Sequence, residues 1–133
     1  MTKHQTRSQR VAEAAFNAVE GRATEPKKDK YLAFAREFPT LIHTCGLAQA
    51  TAFALAKGKV HGLLLDDLAK VSRGEDGKQF QKTVREAPLM DYLALTREAL
   101  FAATWIKRYA EALLKSKEQS ATDGVDAEPG GSS

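Results

Sequence analysis

The chain has 133 residues, enough for one domain around one core and not comfortably for two. Hydrophobic residues make up 43%, no apolar run reaches the ~18 residues of a membrane span, and Cys45 is the only cysteine, so an internal disulfide and a membrane-spanning class are excluded. The net charge of +3 conceals a split: residues 1–115 hold 19 Lys and Arg against 13 Asp and Glu, whereas residues 116–133 hold one lysine against four acids. The opening MTKHQTRSQR is polar and basic, unlike a secretory signal, and with the lone cysteine it leads to the expectation of a reducing, cytoplasmic compartment.

In chain order the sequence divides into helices. The first is expected near residues 3–20, closed by Gly21 in the usual position past a helix end. Thr24 and Pro26 introduce a second, to about Phe38. Pro39 either starts a third helix at its first position or kinks one long helix, and Gly58 ends that segment. Residues 60–73 carry Val60, Leu64, Leu68 and Val71 on one face. After the loop RGEDG, Asp76 and Gln79 resemble a capping box for a short helix through Glu86. Pro88 introduces a long last helix to about Lys117. No stretch shows sustained period-two alternation with strand-type residues. The expected fold is all-α: a single-domain bundle of five or six helices over residues 1–117, with a long C-terminal helix. Residues 118–133, rich in Gly, Ser and acids, are expected to be a disordered acidic tail.

The stretch FPTLIHTCGLAQATAFALAKG, Phe38 to Gly58, is the least ordinary. Read as one continuous helix at about 100° per residue, it collects Leu41, Ile42, Cys45, Ala48, Ala52, Phe53, Leu55 and Ala56 on a core face, with Gln49 in the middle of it. The opposite arc holds Thr40, His43, Thr44, Leu47, Ala50, Thr51, Ala54 and Lys57, uncharged until Lys57. Leu47, Ala50 and Ala54 are therefore the candidate protein-contact strip. Gln49 is either a buried amide paired with a neighbouring helix or an amide facing a partner.

Catalytic chemistry finds no support. His4, His43 and His61 have no metal-ligand spacing, His43 and Cys45 point to different helix faces, and Asp66 and Asp67 diverge likewise. There is no GxSxG, phosphate-binding glycine loop or CxxC. No catalytic residue, metal or cofactor is expected. The positive signal is basic stripes. Lys3, Arg7 and Arg10 follow i, i+4, i+7, and Lys78, Lys82 and Arg85 do the same opposite Phe80, Thr83, Val84 and Ala87. Arg97, Thr104, Arg108, Glu111 and Lys115 share a line on the last helix, with Phe101 and Trp105 adjoining Arg97 and Arg108. Arg7, Arg10, Lys78, Lys82, Arg85, Arg97 and Arg108 are candidates for phosphate contact, because such a pitch can follow an RNA backbone. The competing readings are a solvated face for the charges and core packing for the aromatics.

Two segments resemble a known family. FPTLIHTCGLAQATAFALAKG is similar to the "lP-x-LI-x-x-x-GL-x-Q-A-x-AF" segment of the small helical subunit of the type III-B CRISPR effector, the RAMP-module or Cmr complex. TREALFAATWIKRYAEALL, Thr96 to Leu114, resembles that family's last helix, with its "T-x-EAL-x-x-x-x-W-x-KR-x-A" character. The likeness covers roughly residues 7–115, and Gly46, Leu47, Gln49, Trp105, Lys107 and Arg108 match its pattern. It implies an all-α, non-catalytic subunit with no settled ligand-binding residues. Its implied partners are a backbone RAMP subunit, a large subunit, neighbouring copies of the small subunit, and guide and target RNA. Two other readings stand beside it: a helical protein–protein adaptor without RNA, and a helix-turn-helix regulator, which the long RGEDG loop fits poorly.

Overall fold

The structure, a computed structural model, describes residues 5–115. The expected first turn at residues 3–4, which holds Lys3, and the expected tail lie outside them. Six helices follow one another: α1 (Arg7–Glu20), α2 (Lys28–Cys45), α3 (Leu47–Lys57), α4 (Lys59–Arg73), α5 (Gly77–Glu86) and α6 (Leu89–Leu113). No strand occurs among the described residues.

Local chemistry accounts for most of the boundaries. Thr6 caps α1 in a full capping box: the Gln9 N–H donates to Thr6 Oγ1 (3.0 Å) and the Thr6 N–H to Gln9 Oε1 (2.8 Å). Asp76 caps α5, its carboxylate accepting the Gln79 N–H at 2.8 Å. Pro88 occupies the N-cap position of α6. Pro39 neither starts nor ends a helix; α2 runs through it. The break comes seven residues later, at Gly46, whose φ of +88° and ψ of 157° lie in a region that is essentially glycine-only.

That break inverts the expected faces of α3. Up to Ile42 the continuous reading holds, with Phe38 and Ile42 buried and His43 and Thr44 exposed. Beyond Gly46 the helical phase starts afresh. Leu47, Ala50, Thr51 and Ala54 are fully buried, while Gln49, Ala52, Phe53, Leu55 and Ala56 face outward. Leu47 alone, fully buried, contributes about 1.5–3 kcal/mol of hydrophobic stabilisation. The Thr51 hydroxyl donates to the Leu47 carbonyl (2.9 Å), so the one polar side chain on this inner face is satisfied.

Helix α4 is the central element, packing against α1, α2, α3, α5 and α6. Its Val60, Leu64, Leu65 and Leu68 meet Tyr31, Phe38, Phe80 and Ile106 in the core. The corner into α5 is tight. A Cβ on Gly77 would stand 2.6 Å from Asp66 Oδ1 and 2.9 Å from Leu65 Cγ, and the Gly77 N–H donates to that same Oδ1 at 2.7 Å. Only glycine lets α5 begin this close to α4.

Candidate nucleic-acid interface

Helices α1 and α6 pack together, with Phe16 against Tyr109 edge to face at 5.4 Å. At the other end of this pair Arg7 and Arg97 line one surface depression of about 360 Å³ with Ser8, Ala94, Glu98 and Phe101. Two arginines 90 positions apart in sequence thus share one site. Farther along α6, the Arg108 guanidinium lies 6.0 Å from the Trp105 ring centroid, and Trp105 stacks on Tyr109 at 5.7 Å. The spacing 97, 101, 105, 108 keeps these groups on one side of the helix. Phe101 is exposed, whereas Trp105 is half-buried and packs against the core, as its type suggests.

Neither Arg7, Arg97 nor Arg108 takes part in an ion pair among the described residues. Glu98, the one acid lining the depression, is shared with Arg73 at 3.7 Å. Arg10 is exposed but tied to the Gln5 carbonyl at 3.1 Å. On α5, Lys78, Lys82 and Arg85 are all exposed, and the Arg85 guanidinium donates to Gln81 Oε1 at 2.6 Å. Helix α5 packs on α3 and α4, so its stripe is a separate basic surface and no part of the α1–α6 depression.

A different arginine is fully committed. Arg22, in the loop after α1, donates to Asp67 through Nε (2.9 Å to Oδ2) and Nη2 (2.8 Å to Oδ1), and the Tyr31 hydroxyl donates to Oδ2 at 2.6 Å. Asp67 is 4% exposed, so the trio is a structural clasp between α4, α2 and the α1–α2 loop. Asp67 holds the Arg22 guanidinium more firmly protonated than usual, chiefly through its hydrogen bond. Burial, reinforced by Asp67, pushes the Tyr31 phenol far above its ordinary range. Both oxygens of Asp67 accept hydrogen bonds within the trio. The sequence marked Asp66 and Asp67 only as divergent; the clasp closes over separations of 36 and 45 residues, for which no local pattern exists.

The protein-contact strip needs correction. Leu47, Ala50 and Ala54 are buried inside the subunit, because Gly46 resets the helical phase. Among the described residues the exposed large apolar side chains lie elsewhere: Phe53 and Leu55 on the outer face of α3, Leu89, Met90 and Leu93 at the start of α6, with Leu89 and Met90 70% and 73% exposed, and Phe101 farther along α6. Leu89, Met90 and Leu93 sit outside the core stripe of Leu95, Ala99, Ala102, Ala103, Ile106 and Ala110, a phase difference that a helical wheel of residues 89–113 displays. Gln49 is exposed, which removes the buried-amide reading. Among the described residues no group of three or more His, Cys, Asp or Glu could hold a metal, and no helix is long and apolar enough to cross a membrane.

The profile of the family described as CRISPR-associated protein (Cas_Cmr5) matches residues 7–113. The chain belongs to the Cmr5 family. It is 41% identical over 111 residues to the "CRISPR system Cmr subunit Cmr5" of Thermus thermophilus, a match covering 83% of this chain and 97% of that protein. The X-ray crystal structure of a CRISPR-associated Cmr5 family protein from the same organism superposes with a TM-score of 0.80 at 40% identity, covering 83% of this chain and 99% of that one. The family resemblance read from the two helical segments is therefore correct, as is the all-α fold. The Cmr5 match ends where α6 ends, at residue 113.

Proposed function

We propose that this Cmr5-family chain is the small, non-catalytic subunit of a type III-B CRISPR-Cas (Cmr) ribonucleoprotein effector, stacked along the guide–target RNA duplex during target-RNA silencing in antiviral defence. Its partners in this reading are the backbone RAMP subunit, the large subunit, neighbouring copies of itself, and guide and target RNA. The family supports the complex. The observation that carries the RNA contact is the α1–α6 surface, where Arg7 and Arg97 share a depression beside exposed Phe101 and Arg108 lies over Trp105. Guanidinium groups without carboxylate partners neutralise phosphates, and adjoining aromatic faces accept unpaired bases. Such contacts position the subunit without reading sequence. If one copy makes about three single-strand phosphate contacts, log K falls with log salt at a slope of about −2, so affinity accrues from several copies on one RNA.

The test is the double substitution Arg97→Glu, Arg108→Glu in the assembled effector. Target-RNA affinity falls and its salt slope becomes shallower, while the complex still assembles. Unchanged affinity and slope in an intact complex would reduce this face to a solvated surface, and Lys82→Glu with Arg85→Glu would then examine the α5 stripe. The second reading, an adaptor acting through protein contacts alone, is favoured by the exposure of Leu89, Met90 and Leu93. Met90→Glu with Leu93→Glu impairs incorporation into the complex under either reading; only the adaptor reading leaves RNA affinity insensitive to Arg97 and Arg108.

A further inference from the structure

A second aromatic and basic surface stands apart from the α1–α6 depression. Phe53 projects from the outer face of α3 and is 45% exposed. Its ring is braced from behind. The Phe34 ring of α2, itself buried, lies 6.0 Å away between centroids, and the His61 ring, in the first turn of α4, lies 6.2 Å away edge to face. Phe34 and His61 stand 4.3 Å from each other, so three helices contribute one ring cluster with Phe53 as its exposed member. Each phenylalanine has a lysine one turn away on its own helix: Lys57 after Phe53, and Lys30 before Phe34. The Lys57 ammonium lies 5.8 Å from the Phe53 centroid. Both lysines are exposed, and neither takes part in an ion pair among the described residues. His61 registers their charge: its pKa is lowered first by burial and then by Lys57 and Lys30, with Glu37 as the acid that opposes them. We infer that this α2–α3–α4 surface is a second nucleic-acid site, selective for a single strand, in which an unpaired base stacks on Phe53 while flanking phosphates meet Lys57 and Lys30. The inference goes beyond the RNA contact proposed for α1 and α6 and does not depend on it, since the two surfaces share no helix.

The combination of groups selects the ligand. Lysines alone attract any anion, and a lone exposed ring attracts any apolar group; a braced ring with a lysine on either side matches a nucleotide, which joins a flat base to a charged phosphate. A duplex cannot use the ring, because its bases are already stacked and paired and it presents mainly phosphates and sugars. A base stacked on an aromatic side chain is worth about 5- to 150-fold in affinity, whereas a cation–π contact at an exposed position is worth about 2- to 5-fold. The base therefore takes the Phe53 ring from the Lys57 ammonium, which is then free to meet a phosphate. Phe34 and His61 hold the ring in place beforehand, so binding costs little side-chain freedom. Two single-strand phosphate contacts correspond to a salt slope of about −1.4.

The experiment uses the full chain and an end-labelled oligouridine of about 10 nucleotides carrying one central 2-aminopurine, a base whose fluorescence is quenched by stacking. Affinity is read from the anisotropy of the label. The comparison ligands are a G·C-rich RNA duplex of the same length and uridine monophosphate. At low salt the single strand is expected to bind more tightly than either, with quenching of the 2-aminopurine and movement of the His61 ring signals in NMR spectra. Phe53→Leu, which keeps an apolar side chain against Phe34, should lower single-strand affinity by about 5- to 150-fold, and Phe53→Trp should preserve it. Lys57→Gln should flatten the salt slope by about 0.7. Equal affinities for Phe53→Leu and the unaltered chain overturn the stack. So do His61 signals that stay in place at saturation, a readout that needs no variant. A duplex bound as tightly as the single strand overturns the selectivity, and a mononucleotide bound as tightly overturns the strand as the ligand. The same titrations in the Arg97→Glu, Arg108→Glu chain separate the two surfaces. The dependence on Phe53 should persist there, and its loss would overturn their independence. Absence of that dependence in both chains overturns this site and leaves the α1–α6 reading untouched.

Discussion

Arg22 and Arg97 are the same residue type put to opposite uses. Arg22 donates twice to a carboxylate that is 4% exposed and shares that carboxylate with a buried phenol. Arg97 lines an open depression beside a second arginine, with no ion-pair partner among the described residues. The difference lies in what each charge faces. A guanidinium whose partner is buried becomes part of the fold, since removing either member leaves an uncompensated charge. One that faces solvent beside another positive charge contributes little to the fold and is available to an anion.

The largest test of this contrast is Asp67→Ala. It strands both Arg22 and the Tyr31 hydroxyl and should lower stability by about 3 kcal/mol, the lower end of the range for a broken buried pair because Arg22 is partly exposed. Arg97→Ala should shift stability by no more than about 0.5 kcal/mol in the same denaturant titration. If the two substitutions cost the same, the distinction between committed and available arginines fails. A milder probe of the clasp is Tyr31→Phe, expected to cost about 1–3 kcal/mol near neutral pH, because Asp67 loses one donor.

Alkaline pH separates the regions further. The folded state raises the Tyr31 pKa above its unfolded value of 10.0, so the stability this group contributes is complete below pH 10 and is lost as pH rises beyond it. Unfolding measured from about pH 9 to about pH 11 should show a drop that Tyr31→Phe removes and Arg97→Ala leaves in place. On the open surface, Arg97→Ala should flatten the salt slope of RNA binding by about 0.7, while Arg22→Lys should leave that slope alone. The smallest effect belongs to His61, whose pKa is lowered chiefly by burial and then by Lys57. Its unfolded state binds the proton more readily, so stability declines slightly as pH falls through about 6.5, and His61→Gln should level that decline.

Sequence reasoning succeeded where punctuation is local. Asp76 with Gln79, Pro88 and the glycine after Lys57 each act within a turn or two, and α4, α5 and α6 begin close to where those residues place them. It erred between residues 38 and 57 because it gave the break to the wrong residue. Pro39 looked like the stronger interruption, yet α2 accommodates it, whereas Gly46 looked like an interior glycine and terminates the helix. The spacing Leu47, Ala50, Thr51, Ala54 is itself i, i+3, i+4, i+7, and reading α3 alone from Gly46 recovers its buried face. The pairing of Arg7 with Arg97 and the closure of Arg22 on Asp67 had no such signal, since both depend on how distant helices pack.

One hydroxyl ties the start of α6 to the start of α3. Tyr92 Oη accepts the Ala48 N–H at 3.1 Å, supplying a partner to an amide in the first turn of α3, where a helix has none of its own and Gly46 has no side chain to offer. The Ala48 amide is therefore a natural gauge. Its hydrogen exchange with solvent proceeds only when Tyr92 withdraws, and Tyr92 sits within the same turn as Met90 and Leu93. Whatever clamps the exposed leading edge of α6 slows the exchange of one proton on a different helix, so docking at that edge can be timed from inside the subunit without labelling the surface that docks.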